Sequence, residues 1–138
     1  MFEVIDTGAD PSDVPVSEAV RAGDLFWSVH ISEDPVTGEP VFGDIETQAR
    51  RTLQNLEIAI KAAGGSVANV VQMQVFLTDR ADAPGMNRVY TEFFREPYPV
   101  RATVVVKKLI TPGLRIEVLA HAVLEGADRS ARPEFSKV

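Results

Sequence analysis

The 138-residue sequence contains no cysteine. Disulfides, thiolate metal ligands and a cysteine nucleophile are therefore excluded, and the redox compartment cannot be read from thiol usage. Histidine is almost as scarce. His30 and His121 are the two present, with no His-x-x-x-His spacing and no clustered acids around them. Zinc and iron sites need such ligand sets, so no metal is expected. A phosphate-binding glycine loop is also lacking. Gly64-Gly65 closes a helical pattern instead of opening one, so no cofactor is expected. No apolar run approaches the roughly 20 residues of a membrane span. The start, Met1-Phe2-Glu3-Val4-Ile5-Asp6, lacks the basic region and long apolar run of a signal peptide. A cytoplasmic protein with no membrane partner is the expectation. Positive charge is in deficit, with 14 Lys+Arg against 20 Asp+Glu and a net charge of −6. That balance argues against a general nucleic-acid partner, while leaving room for a local basic pocket.

What is present reads as an ordinary globular chain, 45% hydrophobic and 25% charged. Its length suits a single domain, residues 1–138, with a real core. The tail from Gly126 onward is polar and is expected to be loosely held. Phe2 to Ile5 suggests a short strand, followed by a Gly/Pro/Asp/Ser-rich loop from Thr7 to Pro15. Val16 to Ala22 suggests a second strand. Leu25 to Ser32 suggests a third, dense in aromatic and β-branched residues. After the turn at Asp34 to Glu39, Pro40 to Phe42 is expected to close a hairpin.

Asp44 is placed to cap the clearest helix. Ile45, Ala49, Leu53, Leu56, Ile60 and Ala63 recur at steps of three and four, a stripe that needs a sheet to lie on. Val70 to Asp79 predicts a strand with Val71, Met73, Val75 and Leu77 on one face. Asp82 is expected to cap a second helix carrying Met86, Val89, Tyr90, Phe93 and Phe94 on its apolar side. Pro97-Tyr98-Pro99 breaks it. A β-branched strand then runs to about Lys108, and Leu114 to Leu124 forms the last. The result is an α+β mixed sheet with two helices on one face. Thr103 to Val106 and Leu119 to Leu124 are apolar on both faces, which predicts burial on both sides. No element is left to cover the second face, so another copy of the chain is expected to do so.

Four residues are candidates for chemistry. Arg101 stands where the proline segment enters a strand, and its fork can grip a carboxylate through two parallel bonds. A structural ion pair is the plain alternative. Glu117 is a single carboxylate between Ile116 and Val118. Burial would raise its pKa and a neighbouring arginine would lower it, and such a group can orient or deprotonate a water. Ser28 and His30 share one face of a strand. No nucleophile-elbow pattern accompanies them, so a hydrolytic triad is disfavoured.

Taken in order, these pieces resemble one family. They are Asp34-Pro35-Val36-Thr37-Gly38-Glu39, the helix around Gln48, Leu53, Asn55 and Leu56, and Ala63-Gly64-Gly65-Ser66. Val75 to Asp79, Met86 to Tyr90, Phe93-Phe94, Pro97, Pro99-Val100-Arg101 and Ile116-Glu117-Val118 follow. Over about residues 14 to 124 the chain resembles the reactive-intermediate deaminase (Rid/YjgF) family. The resemblance implies a chorismate-mutase-like fold and a homotrimer with clefts between subunits. It implies hydrolysis of enamine/imine intermediates, such as 2-iminopropanoate and 2-iminobutanoate, to 2-keto acids and ammonia, without metal or organic cofactor. Arg101 matches the arginine that grips the substrate carboxylate, and Glu117 the acid associated with the attacking water. Asn87 and Ser28 also fall on the family's site positions.

Departures surround them. The pocket tyrosine is Val16, the Ser-Gly-Gln motif is Ser28-Val29-His30, and the residue that is often cysteine is Thr103. Val16, Val29, His30, Asn87, Thr103 and Arg101 are therefore the expected substrate-binding residues, and Arg101, Glu117 and Ser28 the catalytic ones. The alternatives are a deaminase or hydrolase of a larger catabolic intermediate, or a non-enzymatic trimeric small-ligand-binding protein. Some family members have been described as ribonucleases; the acidic balance disfavours that role here.

Overall fold

Asp44 begins the longest helix as its side chain accepts a hydrogen bond from Thr47 N at 2.8 Å. In the computed structural model, which describes residues 1–125, this helix, α1, spans Ile45–Ala62. The polar tail expected from Gly126 lies outside the described residues. The other elements are β1 (Glu3–Val4), β2 (Ala19–Ala22), β3 (Leu25–Ile31), β4 (Val70–Leu77), α2 (Ala83–Phe93), β5 (Val100–Val105) and β6 (Ile116–Val123). The six strands form one sheet in the order β1-β2-β3-β6-β4-β5. Only β4 and β5 pair in parallel, joined by the crossover through α2. The α+β reading of a mixed sheet with two helices holds.

The stripe on α1 is buried as its spacing required. Ala49, Leu53, Leu56, Ala59 and Ile60 are all at most 1% exposed. They meet Phe26 of β3 and Val118, Ala120 and Ala122 of β6 in one core cluster. Each large aliphatic side chain buried there contributes roughly 1.5–3 kcal/mol. Met86, Val89 and Tyr90 bring α2 into the same core. Gly85 lets the helices close: a Cβ at that position would meet Ile45 Cγ2 at 2.7 Å.

Several sequence expectations need correction. The strand expected from Val16 starts only at Ala19. The strand expected at Pro40 to Phe42 is reduced to an isolated bridge between Glu33 and Pro40, since proline has no N–H to continue a ladder. The strand from Val70 stops at Leu77, and a register irregularity between Val70 and Gln72 turns Val71 out to 43% exposure while Val70 goes inward. β5 ends at Val105, short of Lys108, and β6 begins at Ile116, not Leu114. Asp82 makes no side-chain cap for α2. Its buried carboxylate instead receives the Arg115 fork at 2.9 and 2.8 Å.

The single chain does not by itself bury β5 on either side. It is an edge strand, and all six of its residues are exposed in the single chain. On β6, Ile116, Val118, Ala120 and Ala122 are buried under the helices, while Glu117, Leu119, His121 and Val123 are half-buried on the open face. No helix among the described residues is long and apolar enough to cross a membrane.

Candidate active site

Arg101 is held by α2. Its Nη2 donates to Asn87 Oδ1 at 2.7 Å, and Nη1 lies 3.8 Å from Met86 Sδ. Its guanidinium carbon stands 4.6 Å from the centroid of the Tyr90 ring, within cation–π range. Tyr90 stacks in turn on Phe94 at 4.4 Å. Among the described residues, no carboxylate forms an ion pair with Arg101. The plain ion-pair alternative thus finds no partner among the described residues of the single chain. The guanidinium is exposed, aimed by an amide and an aromatic face, and keeps donors for an external acceptor. The Tyr90 hydroxyl is buried. Burial pushes the Tyr90 pKa up, against the opposing charge of Arg101. Thr103 lies two residues on, on the same face of β5 and also exposed.

Ser28 and His30 lie at the other end of the same sheet face. The register runs Ser28–Ala120–Met73–Arg101 across adjacent strands. Three interstrand steps separate Ser28 from Arg101, roughly 14 Å, with Ala120 and Met73 buried between them. Ser28 Oγ is 2.9 Å from His30 Nε2, and His30 Nδ1 is 3.1 Å from Glu18 Oε2. Thr7 Oγ1 donates to the other Glu18 oxygen at 2.7 Å. Burial alone would raise the Glu18 pKa; the hydrogen bonds from His30 and Thr7 and the attraction of His30 outweigh it and bring it down. The opposite happens at Glu33, which is raised by burial and by repulsion from Glu18. Buried Asn55 secures the end of β3 by donating to Ile31 O at 3.2 Å and Glu33 O at 2.9 Å.

Glu117 sits on the open face, paired across the sheet with Ile31 and Phe76. Burial raises its pKa, and no arginine opposes this. The arginine neighbour considered from sequence is therefore not found among the described residues. Two positions along the same face, Leu119 helps line a hollow of about 110 Å³ with Ser17, Glu18, Val20, Trp27, Ser28 and Val29. Val29 is 40% exposed at this hollow, and Val16 is 74% exposed in the loop before β2. A single chain thus brings Arg101, Asn87 and Thr103 together at one edge, and Ser28 and Val29 together at the hollow, with His30 buried behind Ser28. It does not bring the two groups, or Arg101 and Glu117, into contact. Among the described residues, no group of His, Asp or Glu has the arrangement of a metal site.

Sequence reasoning missed Glu18 and the support of Arg101 by Tyr90. Tyr90 carried a signal, three residues beyond Asn87 on one helix face, but was read as core alone. Glu18 carried none, because its partner lies 12 residues away in another strand.

The family model described as Endoribonuclease L-PSP matches residues 8–124. A RutC family protein of Pyrococcus horikoshii is 42% identical over 124 residues, covering 88% of this chain and 98% of that protein. A 2-iminobutanoate/2-iminopropanoate deaminase of Dermatophagoides farinae is 32% identical, covering 88% and 96%. Among solved structures, Escherichia coli TdcF with bound serine superposes with a TM-score of 0.78 at 34% identity, covering 88% and 98%. With the family model matched over most of the chain and relatives of this identity covered almost end to end, the chain belongs to the Rid/YjgF family.

Proposed function

We propose that this chain hydrolyses reactive imine or enamine intermediates of the 2-iminopropanoate and 2-iminobutanoate type to 2-keto acids and ammonia. The observation that carries the reading is Arg101, a guanidinium positioned by Asn87 and Tyr90 and without an acid partner among the described residues. It is suited to hold a substrate carboxylate and orient the adjacent carbon. Water adds to the C=N carbon. Glu117, which burial makes a stronger base than a free carboxylate, takes the water proton and returns it to nitrogen. The carbinolamine then expels ammonia and forms the keto group.

Arg101 and Glu117 lie on opposite faces of one sheet, so the site is completed between copies. The exposed edge of β5, with Val100 at 70%, Val104 at 45% and Val105 at 54% exposure, and the apolar open face support a homotrimer with the sites in its clefts. Val16 and Val29 favour a second reading, in which the same clamp takes a different, larger catabolic intermediate or binds a small carboxylate without turnover.

The test is keto-acid release from freshly generated 2-iminopropanoate and 2-iminobutanoate, with wild type compared with Arg101→Ala. Acceleration that depends on Arg101 supports the deaminase. A folded, assembled wild type that leaves both rates unchanged refutes this substrate assignment and directs attention to the second reading.

A further inference from the structure

The open face of β3 and β6 carries a row of three cross-strand pairs: Glu117–Ile31, Leu119–Val29 and His121–Trp27. Val20 extends the last pair onto β2, opposite Trp27. The hollow of about 110 Å³ lies in this row, with Val20, Trp27, Val29 and Leu119 as its apolar walls. Its polar neighbours are turned away or engaged. The Ser28 side chain, 3% exposed, goes to the helix-covered face with its strand partners Ala19 and Ala120. The two oxygens of Glu18 are taken by His30 at 3.1 Å and by Thr7 at 2.7 Å. Trp27 is braced by its stack on His121, with ring centroids 5.0 Å apart and planes 12° apart. A wall held in this way loses little freedom when a ligand arrives.

The mechanism above gives this hollow no role, yet the hollow adjoins the reacting carbon. Leu119 follows Glu117 by two residues on the same strand face, a step of roughly 7 Å. A chain attached to the carbon that receives the water, and running along the strand, enters between Leu119 and Val29. Apolar walls there reward apolar surface. The size sets a limit. A cavity of roughly 150 Å³ holds benzene, so one of this smaller volume suits an alkyl group of about three to five carbons and is too small for a phenyl ring.

We infer that the hollow is the side-chain pocket of the site, so that the substrate class is 2-imino acids bearing a short alkyl chain, with isobutyl the best fit. This deepens the reading under "Proposed function" and rests on it, with Glu117 and the hollow on one copy and Arg101 on the next. The bonds made and broken are unchanged: the alkyl group stays on its carbon while water adds and ammonia leaves.

The test compares imines freshly generated from alanine, 2-aminobutyrate, leucine and phenylalanine, read as kcat/KM. Calorimetric binding of the matching 2-keto acids to the full chain is measured beside it. Each buried methylene contributes about fourfold, so the leucine-derived imine is expected to exceed the alanine-derived one by roughly fiftyfold. The phenylalanine-derived imine is expected to fall below the leucine-derived one. Val20→Phe fills the hollow and should bring the leucine-to-alanine ratio close to one. Leu119→Ala enlarges it and should reverse the order of leucine over phenylalanine. A series that is flat or falls from methyl to isobutyl overturns the inference while leaving the deaminase standing. Ratios unmoved in both variants overturn it too, and would mean that a side chain of a neighbouring copy fills the hollow. The keto acids separate the two claims. If no imine is accelerated but 4-methyl-2-oxopentanoate binds more tightly than pyruvate, the deaminase reading fails and the pocket stands. If neither keto acid binds, the pocket is refuted.

Discussion

Replacing Arg101 by lysine asks whether the fork or the charge matters. In the structure one nitrogen of the guanidinium donates to Asn87, another lies against Met86 Sδ, and its central carbon stands over the Tyr90 ring. Lysine keeps the charge but offers a compact ammonium that cannot make two parallel bonds to one carboxylate. The lost charged hydrogen bond is worth about 1.5–3 kcal/mol, which is roughly a ten- to hundredfold fall in kcat/KM. Alanine removes the charge as well, and a loss of about a thousandfold is expected. Stability should barely register either change. The residue is exposed, its cation–π contact contributes about 0.5–1 kcal/mol, and the bond to exposed Asn87 adds little. A melting shift of at most a few degrees follows for a chain of this size. Steady-state kinetics on fresh imine together with thermal melts decide the matter. Full activity in Arg101→Lys would refute fork geometry as the reason for the arginine. A thousandfold loss accompanied by a collapsed melting temperature would show a structural residue, not a clamp.

Gln48→Leu should destabilise strongly. Gln48 is fully buried, donates to Gly43 O and Gly113 O at 3.1 and 3.0 Å, and accepts from Arg115 N at 2.8 Å. Leucine leaves these groups unpaired, for a loss of about 3–5 kcal/mol by urea unfolding; a loss under about 1 kcal/mol would contradict the accounting. Glu117→Gln should abolish turnover and stabilise the fold at neutral pH. The folded pKa of Glu117 is raised above 4.5, so wild-type stability falls as pH climbs from that value through the raised pKa. The melting advantage of the variant should be complete above that window and vanish below about pH 4; an advantage independent of pH would refute burial as its source. Val104→Glu places a charge on the exposed edge strand and should reduce the proposed trimer to monomers by light scattering, with activity lost in parallel. An intact, active trimer would show that β5 is not the seam.

The helices were legible because their information is local. The stripe from Ile45 to Ala63 needs only the 3.6-residue period, and the Asp44 cap needs only its own first turn. The alternation on β6 was equally readable, since period two alone separates Ile116, Val118, Ala120 and Ala122 from Glu117, Leu119 and His121. Strand ends were read less well. Val71 was put on the wrong face because a register irregularity is a property of the pair and leaves no mark on one strand. Asp82 has the residue type and position of a cap, yet a guanidinium 33 residues away offered its carboxylate more than the helix end did.

The sequence by itself determined the family and the mixed sheet with its two helices, and it supplied the candidate residues of the proposed site: Arg101, Glu117, Ser28 and His30. Their types and order are covalent facts. Only the tertiary structure decided how they relate. It set Arg101 on a helix-supported edge, Glu117 on the opposite face and Ser28 roughly 14 Å from the arginine, and it joined His30 to Glu18. Those relations come from strand order and register, which are set by side chains packing between elements distant in sequence. No local pattern encodes that packing.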